Sequence, residues 1–438
     1  MHYIIYLLNV VTTKGEIMNI FKAQLEPYEV FNPRGEYNPD MYVERPHYEE
    51  QMEYALQGNL CILVHGQSGT GKTWLTRRVL SRQRIDYQIV NLASASNSGS
   101  IYECFKKIMS SKKWEIRTKR TDKMSTEANA GIAKGGLQSE SVYENNIDYF
   151  MEFLKFINYK ARNKDRPKYI VFENMESILD NEKLIKELSN LIILTDDDEV
   201  IKYKTKFIII GATKDIHQYF RKVMNVNTID NRIYELEDVG TLTTTQAREL
   251  VQRGFEKLEL EFETDNIKND CINKYIRVTG GIPQRLHELC LAFAQACRSS
   301  QREIDMDMVD KAIGKWVRTS LNKNYVLTSR LLDSENAEVS YRNRILYCIA
   351  QKDKLYFTKE EIDFDLQQEF PNAVDGKATL AITTRTLNTF CKCDPPLLIT
   401  LEDTFGQYAF CDFKCALCLR AILAKDDERV YKNDAYDI

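Results

Sequence analysis

Gly66-Gln67-Ser68-Gly69-Thr70-Gly71-Lys72-Thr73 fits the pattern G-x-x-x-x-G-K-[ST], and its surroundings agree with it. The continuous apolar run Asn59 to His65 (NLCILVH) leads into it and Trp74 to Gln83 follows with helical spacing, so the order is strand, glycine loop, helix. Glycines at these positions let the backbone turn its N–H groups inward around a β-phosphate, at the positive end of the following helix. Lys72 would reach the β- and γ-phosphates, and the Thr73 hydroxyl would ligate Mg2+. The loop therefore predicts ATP and Mg2+ as cofactors, with Gly66, Gln67, Ser68, Gly69, Thr70, Gly71, Lys72 and Thr73 binding them.

Such a loop needs an acid at the end of a neighbouring strand to hold the Mg2+ shell and orient water. The apolar run Tyr169 to Phe172 ends in Glu173, followed by Asn174, Met175 and Glu176. Glu173 stands where an Asp is usual, and Asn174 where a catalytic Glu often follows. Either Glu173 holds the metal and polarises the water, or Glu176 reaches in; with neither, hydrolysis is slow and the chain is mainly a nucleotide-controlled switch. A further run, Phe207 to Ile210, leads to Thr213, which would lie beside the γ-phosphate as a sensor. Arg221, Lys222 and Arg232 follow, and Arg232 is the candidate for an arginine finger offered to a neighbouring subunit. A solvated basic surface is the alternative for each of the three.

With a strand at Tyr87 to Leu92 and a helix at Ile101 to Met109, these runs predict buried parallel strands joined by helices. Thr118 to Ser141, rich in Lys, Ser, Thr, Gly and Ala, reads as a mobile insertion. From about Leu242 helical periodicity takes over, through Ala247 to Leu258, Ile267 to Val278, Gln284 to Cys297 and Met308 to Val317. Between two of these helices Gly280-Gly281-Ile282-Pro283-Gln284-Arg285 ends one and starts the next. A cation is unfavourable in a first helical turn, so Arg285 points to an anion that holds it. After a polar connector at Asn322 to Asn336 come helices at Tyr341 to Ala350, Lys359 to Phe370 and Ala378 to Phe390, then strands at Leu397 to Leu401 and Tyr408 to Cys411. That is the order of a winged helix-turn-helix, whose third helix would present Lys377, Thr383, Thr384, Arg385 and Asn388.

The expected organisation is an N-terminal extension over 1–40, a P-loop core over 41–238, a helical lid over 239–325, a winged helix over 338–425 and an acidic, frayed tail over 426–438. A chain of 438 residues is long enough for several domains, and 43% apolar with 28% charged residues excludes disordered and fibrous classes. The net charge of −4 gives no overall field for nucleic acid, and 338–426 holds eleven Lys and Arg against thirteen Asp and Glu. Any such binding must be local, and protein contact by the winged helix is at least as well supported as DNA contact. The apolar stretch Tyr3 to Thr12 is too short to span a bilayer and lacks the flanks of a signal peptide, which places the protein in the cytoplasm with no membrane partner. Of eleven cysteines, six (Cys61, Cys104, Cys271, Cys290, Cys297 and Cys348) are scattered among apolar neighbours without paired spacing and read as reduced core thiols. Cys391, Cys393, Cys411, Cys415 and Cys418 are close together, but C-x-C and C-x3-C-x2-C are not spacings of a common zinc site, so core thiols are the favoured reading and zinc the other.

These motifs together resemble the AAA+ ATPases, in the branch nearest the initiator and origin-recognition ATPases and the STAND-type signalling ATPases. Gly66 to Thr73 resembles Walker A, Ile170 to Glu173 Walker B, Thr213 sensor 1, and Gly280 to Arg285 the G-x-P element that carries sensor 2. The resemblance spans about residues 41 to 325, and the winged helix of many members matches 338 to 425. It implies an α/β fold, with a P-loop AAA+ core on a parallel sheet followed by an all-helical lid and a winged-helix domain. The implied activity is ATP hydrolysis, slowed by the Glu173-Asn174 pair, in a homo-oligomeric switch or motor whose winged helix meets a partner protein or duplex DNA. A DNA-tethered initiator or transposition helper and a non-hydrolysing nucleotide-bound scaffold are the other readings. Analogy with proteins of this build suggests a setting in phage (antiviral) defence or mobile elements.

Overall fold

The computed structural model describes residues 25–114, 148–211, 219, 229–300, 303–333, 340–352, 356–372, 376–401 and 406–433. The chain divides into two units, one of residues 37–241 and one that joins 1–36 to 242–438.

The unit 37–241 opens with α1 (Pro46–Gln57) and then follows the expected order. Its elements are β1 (Cys61–Val64), α2 (Lys72–Arg82), β2 (Asp86–Asn91), α3 (Leu92–Ser98), α4 (Ile101–Ser111), α5 (Tyr149–Lys160), β3 (Lys168–Glu173), α6 (Glu182–Leu194), β4 (Thr205–Ile210) and β5 (Ile233–Glu235). The sheet order is β2-β3-β4-β1-β5, and every pair is parallel. The alternation of side chains along β1, β3 and β4 sorts them onto two apolar faces. Cys61, Leu63, Ile170, Phe172, Phe207 and Ile209 pack with the rings of Phe105, Phe150 and Phe153 from α4 and α5. Ile62, Val64, Tyr169, Val171, Ile208 and Ile210 pack with Met52 of α1 and with Leu75 and Val79 of α2. Because all strands run the same way, their C-terminal ends form one edge of the sheet and their starts the other. The expected insertion, 118–141, lies outside the described residues.

In the other unit a single helical turn, Pro27–Val30, precedes α7 (Thr244–Lys257), α8 (Asp265–Thr279), α9 (Pro283–Ser300) and α10 (Met306–Ser320). Gly280 and Gly281 have φ of 60° and 66° and end α8, and Pro283 opens α9, as the sequence predicts. Residues 25–36 are not a detached extension: Phe31 is fully buried, edge-on to Phe255 (6.2 Å) and His287 (5.9 Å). The polar connector at 322–336 is corrected over most of its length, because Asn322–Leu331 is a helix, α11. Its inward positions are small and polar, with the Thr328 Oγ1 3.4 Å from Cys418 Sγ and Asn324 Nδ2 donating to Asp412 Oδ2 (2.9 Å), so it shows no apolar period.

Beyond it come α12 (Tyr341–Ala350), β6 (Tyr356–Thr358), α13 (Lys359–Glu369), α14 (Gly376–Lys392), β7 (Leu398–Thr400) and β8 (Gln407–Phe410), with an antiparallel sheet in the order β6-β8-β7. The strand β6 adds to the two expected ones. A buried helix, α15 (Lys414–Ile422), and a hairpin of β9 (Leu423–Asp426) with β10 (Arg429–Lys432) follow. The acidic tail is thus ordered at least to Lys432: Val430 is buried and its carbonyl accepts from Asn343 Nδ2 (3.1 Å), while Glu428 O accepts from Arg344 Nε (2.8 Å). Charged residues alternating with single apolar ones hid this hairpin from a composition argument.

The packing of Phe31 makes a stability prediction. A Cβ at Gly254, inside α7, would lie 2.1 Å from Phe31 Cζ. Gly254→Ala should therefore destabilise this unit by about 1–3 kcal/mol, despite the better helix propensity of alanine. Denaturant unfolding would show it, and adding Phe31→Leu should recover part of the loss; a gain in stability from Gly254→Ala alone would contradict this packing.

Candidate functional site

The loop after β1 turns on three glycines in left-handed conformations: Gly66, Gly69 and Gly71 have φ of 144°, 89° and 91°. Each would strain any other residue. Gly66 also passes so close to its neighbour that a Cβ there would sit 2.5 Å from Val239 O. The helix α2 begins at Lys72 with Gly71 as its N-cap, no side-chain cap and no acid in its first turn. Its leading N–H groups are left to whatever anion lies over the loop. Lys72 is 9% exposed, and its ammonium donates to Gly66 O (2.7 Å) and Gln67 O (2.9 Å). Burial pulls its pKa down to about 8, against the opposing pull of Glu176 and Asp238. Thr70 is buried, with its hydroxyl donating to Gln67 O (2.8 Å), and Thr73 is half-buried at the start of α2. Glycine conformation, uncapped helix and buried cation together fit a polyphosphate.

The strand ends bring the acids to the same edge. Phe172 pairs with Ile209 and Ile209 with Leu63, so Glu173 ends β3 level with Val64, two strand spacings or about 10 Å away. Glu173 is half-buried and faces Arg77 Nη2 of α2 at 3.5 Å. Burial raises its pKa, and Arg77 opposes the rise. Asn174 has φ of 60° and donates from Nδ2 to Asn91 Oδ1 (2.9 Å), and the exposed Glu176 follows in a 3-10 turn, Met175–Ile178. Gly211 N–H donates to Val64 O (3.1 Å), so the chain leaving β4 starts beside the glycine loop. Thr213, Arg221 and Lys222 lie outside the described residues.

Arg232 is on the opposite edge. Ile233 pairs with Cys61 at the start of β1, five residues or about 16 Å of strand from Gly66, which is beyond an arginine's reach to its own loop. Its Nη2 lies 2.7 Å from Asp196 Oδ2. Within the helical unit Arg285 is 7% exposed and donates from Nη1 to both oxygens of Glu288 (2.8 Å each). The anion that the position of Arg285 demanded is thus a carboxylate one turn along its own helix, and Trp316 Nε1 approaches the same group (3.4 Å). Among the described residues no three of His, Cys, Asp and Glu gather as a metal set. Cys415 and Cys418 are buried, and Cys393 Sγ lies 3.2 Å from Phe390 O.

Two groups of residues escaped the sequence reading. Arg45, just before α1, is 5% exposed. Its Nη1 donates to Thr70 O (2.8 Å) and its Nη2 to Gly240 O (2.7 Å) and Thr241 O (3.3 Å), while its guanidinium carbon lies 4.6 Å from the Tyr48 ring centroid. Tyr48 Oη donates to Asp238 O and accepts from Gly240 N–H, both at 3.1 Å. His65, the residue before the loop, lies 2.8 Å from Glu235 Oε1 and 3.6 Å from Asp238 Oδ1. These contacts strap segment 238–241 to the glycine loop. They join positions almost two hundred residues apart, and the only local sign was an Arg before a helix-opening Pro46.

A parallel sheet in this order, with a Walker-type loop leaving β1 and an acid ending β3, is a P-loop AAA+ fold. Residues 55–220 match the family model described as an AAA domain. No curated protein matches the chain. Solved structures similar to it include the Walker-type ATPase of Pyrococcus abyssi, at 15% identity and a TM-score of 0.46, covering 89% of this chain and 99% of that one. Cdc6p from Pyrobaculum aerophilum is similar at 14% identity and a TM-score of 0.45, with 90% and 97% covered. The Aeropyrum pernix ORC2 protein in its ADPNP-ADP complexes is similar at 14% identity and a TM-score of 0.46, with 90% and 97% covered. No described helix is long and apolar enough to cross a membrane.

Replacing Arg45 by alanine would leave three carbonyls at the strap without their charged donor. Arg45→Ala should lower the stability of the unit 37–241 by about 2–4 kcal/mol. Urea unfolding of that unit measures it, and an unchanged midpoint would show that the strap holds without this guanidinium.

Proposed function

We propose that the chain is an ATP-binding AAA+ switch that hydrolyses ATP and controls assembly with a partner. The observation that carries this reading is the glycine loop itself: left-handed glycines, an uncapped helix start and a buried ammonium converge at the end of β1. Gly66 to Thr73 would cradle the phosphates, with Thr73 and Glu173 holding Mg2+. Bound there, Mg-ATP would supply the phosphoanhydride whose cleavage resets the switch. Lys72 neutralises phosphate charge, and Glu173 or Glu176 positions the attacking water. Thr213, two residues past Gly211, is assigned as the γ-phosphate sensor, and Arg285 as the lid arginine, for which it must exchange Glu288 for phosphate. The Arg77-Glu173 pair favours a second reading, a scaffold that binds nucleotide without cleaving it. Its eleven unpaired cysteines support a reducing, cytoplasmic setting.

The C-terminal order helix, strand, helix, helix, strand, strand supports a winged helix with α14 as its third helix. Thr384, Arg385, Asn388, Thr389 and Lys392 line one side of an open hollow of about 740 Å3 on α14. That face is assigned to the partner, a protein or duplex DNA as in initiators.

Steady-state phosphate release separates the readings. Glu173→Gln should keep ATP affinity and lower turnover at least about tenfold, since the amide loses the charge that orients metal and water. If Glu176→Gln has that effect and Glu173→Gln has none, the acid is Glu176. A folded, ATP-binding parent that releases no phosphate would be the scaffold.

The distance of Arg232 from its own loop favours a role in trans, completing a neighbour's site in a homo-oligomer. Arg232→Ala should then leave ATP affinity nearly unchanged and slow hydrolysis, because a finger acts on charge that develops in the transition state. Mixing Arg232→Ala with Lys72→Ala subunits should recover part of the activity; no recovery in a mixture shown to co-assemble would leave Arg232 as the structural partner of Asp196.

A further inference from the structure

The start edge of the sheet in the unit 37–241, away from the glycine loop, is basic in a way that the nucleotide chemistry does not use. Three adjacent strands begin there, and the cations gather before two of them: Arg82 and Arg84 before β2, and Lys160, Arg162, Lys164 and Arg166 before β3, whereas before β4 Lys202 and Lys204 follow Asp196, Asp197, Asp198 and Glu199. Arg82 is paired with Glu49 and Glu53, and Lys202 with Glu199. Against a net charge of −4 for the chain, residues 160–166, with four cations and one acid, are a local reversal of sign.

The loop 161–167 that carries most of these cations is held in place from below. Lys168, fully buried at the start of β3, donates to Asn158 Oδ1 (3.1 Å) and Lys164 O (2.9 Å), and Lys204 Nζ donates to Asp165 O (3.0 Å). Asp86 is consumed by Arg162, through Nε at 2.6 Å and the backbone N–H at 2.8 Å. Asp165 is turned to Lys204 at 3.8 Å. What remains without a carboxylate among the described residues is Arg84, whose side chain makes no hydrogen bond or ion pair, the exposed Lys164, the exposed Lys160, whose ammonium lies 5.8 Å from the Tyr159 ring centroid, and Arg166, with one long contact to Gln83 O (3.5 Å). Arg84, Asp86, Arg162, Asn163 and Arg166 line a shallow cavity of about 220 Å3.

Guanidinium groups from two separate loops around an open cavity suit phosphates spaced along a chain better than one enclosed anion. Aromatic side chains lie next to them in sequence and exposed: Tyr87 directly follows Asp86, and Tyr159, 65% exposed, closes α5 just before the basic loop. Cations interleaved with exposed rings are what a nucleic-acid strand uses, phosphates on the former and bases stacked on the latter. We infer that this start edge is a second interaction surface that binds a single strand of nucleic acid, with Arg84, Lys164 and Arg166 on its phosphates and Tyr159 against a base. It is separate from α14 and from the phosphate cradle, and its failure would leave the nucleotide reading untouched.

Fluorescence anisotropy of the full chain with a labelled oligo-dT of about 20 nucleotides at low salt tests this. Arg84→Glu with Arg166→Glu should weaken binding at least about tenfold and make the slope of log affinity against log salt shallower by about 1.4, the share of two phosphate contacts on a single strand. Nucleotide affinity serves as the folding control and should not change. Lys164→Glu, on an exposed side chain, should weaken binding in the same direction even if the double variant does not fold. The inference is overturned if the parent does not bind, if these variants bind as the parent does, or if binding is lost with Arg385→Glu on α14 and not with them.

Discussion

A loop that must present its N–H groups to phosphate cannot hold itself together with them. In this protein the Arg45 guanidinium takes over part of that task, gripping the loop carbonyl of Thr70 with one nitrogen and the carbonyls of Gly240 and Thr241 with another. Gly66 lies against Val239, whose N–H donates to His65 O (2.9 Å), so the strap and the loop approach as closely as backbones can. Charge-assisted bonds in a buried position are strong and directional, and here they fix a conformation that three left-handed glycines would otherwise leave loose. Lys72 and the start of α2 take their positions from this frame, and the acids at the end of β3 are referred to it through the register of β4 and β1.

The electrostatics of the site are divided by the sheet. One edge collects the ends of β1, β3 and β4, with Lys72, Arg77, Glu173 and Glu176; the other collects the strand starts, with Arg232 just before β5 and the basic loop before β3. A parallel sheet makes this division unavoidable, since every strand contributes one residue to each edge. It explains how a chain with little net charge can hold the glycine loop with its buried ammonium on one side and a separate group of cationic side chains on the other.

Much of this was legible in the sequence because the relevant physics is local. Short apolar runs bounded by turn signals read as buried strands, and the glycine loop carries its own conformational demands, so four of the five strands and the turn at Gly66 to Gly71 were readable, whereas β5, three residues long, was not. Arg45, Arg77 and His65 were not, because each acts on a residue that only the fold brings near. Arg285 was half-read: its place in the first turn did demand an anion, but nothing local told that Glu288 supplies it. The polar inward face of α11, built around Thr328 and Asn324, misled in the same way, and in the hairpin β9-β10 the single buried apolar residues Leu423 and Val430 were hidden among charged ones.

The account stands on the glycine loop being a phosphate cradle, and titration calorimetry of Mg-ATP into the parent and into Lys72→Ala tests that most directly. The mutation removes a cation that donates only to loop carbonyls, so the fold should survive and far-UV circular dichroism should be unchanged. The account predicts that a folded Lys72→Ala protein binds Mg-ATP at least about tenfold more weakly than the parent. Equal affinities in two folded proteins would contradict it.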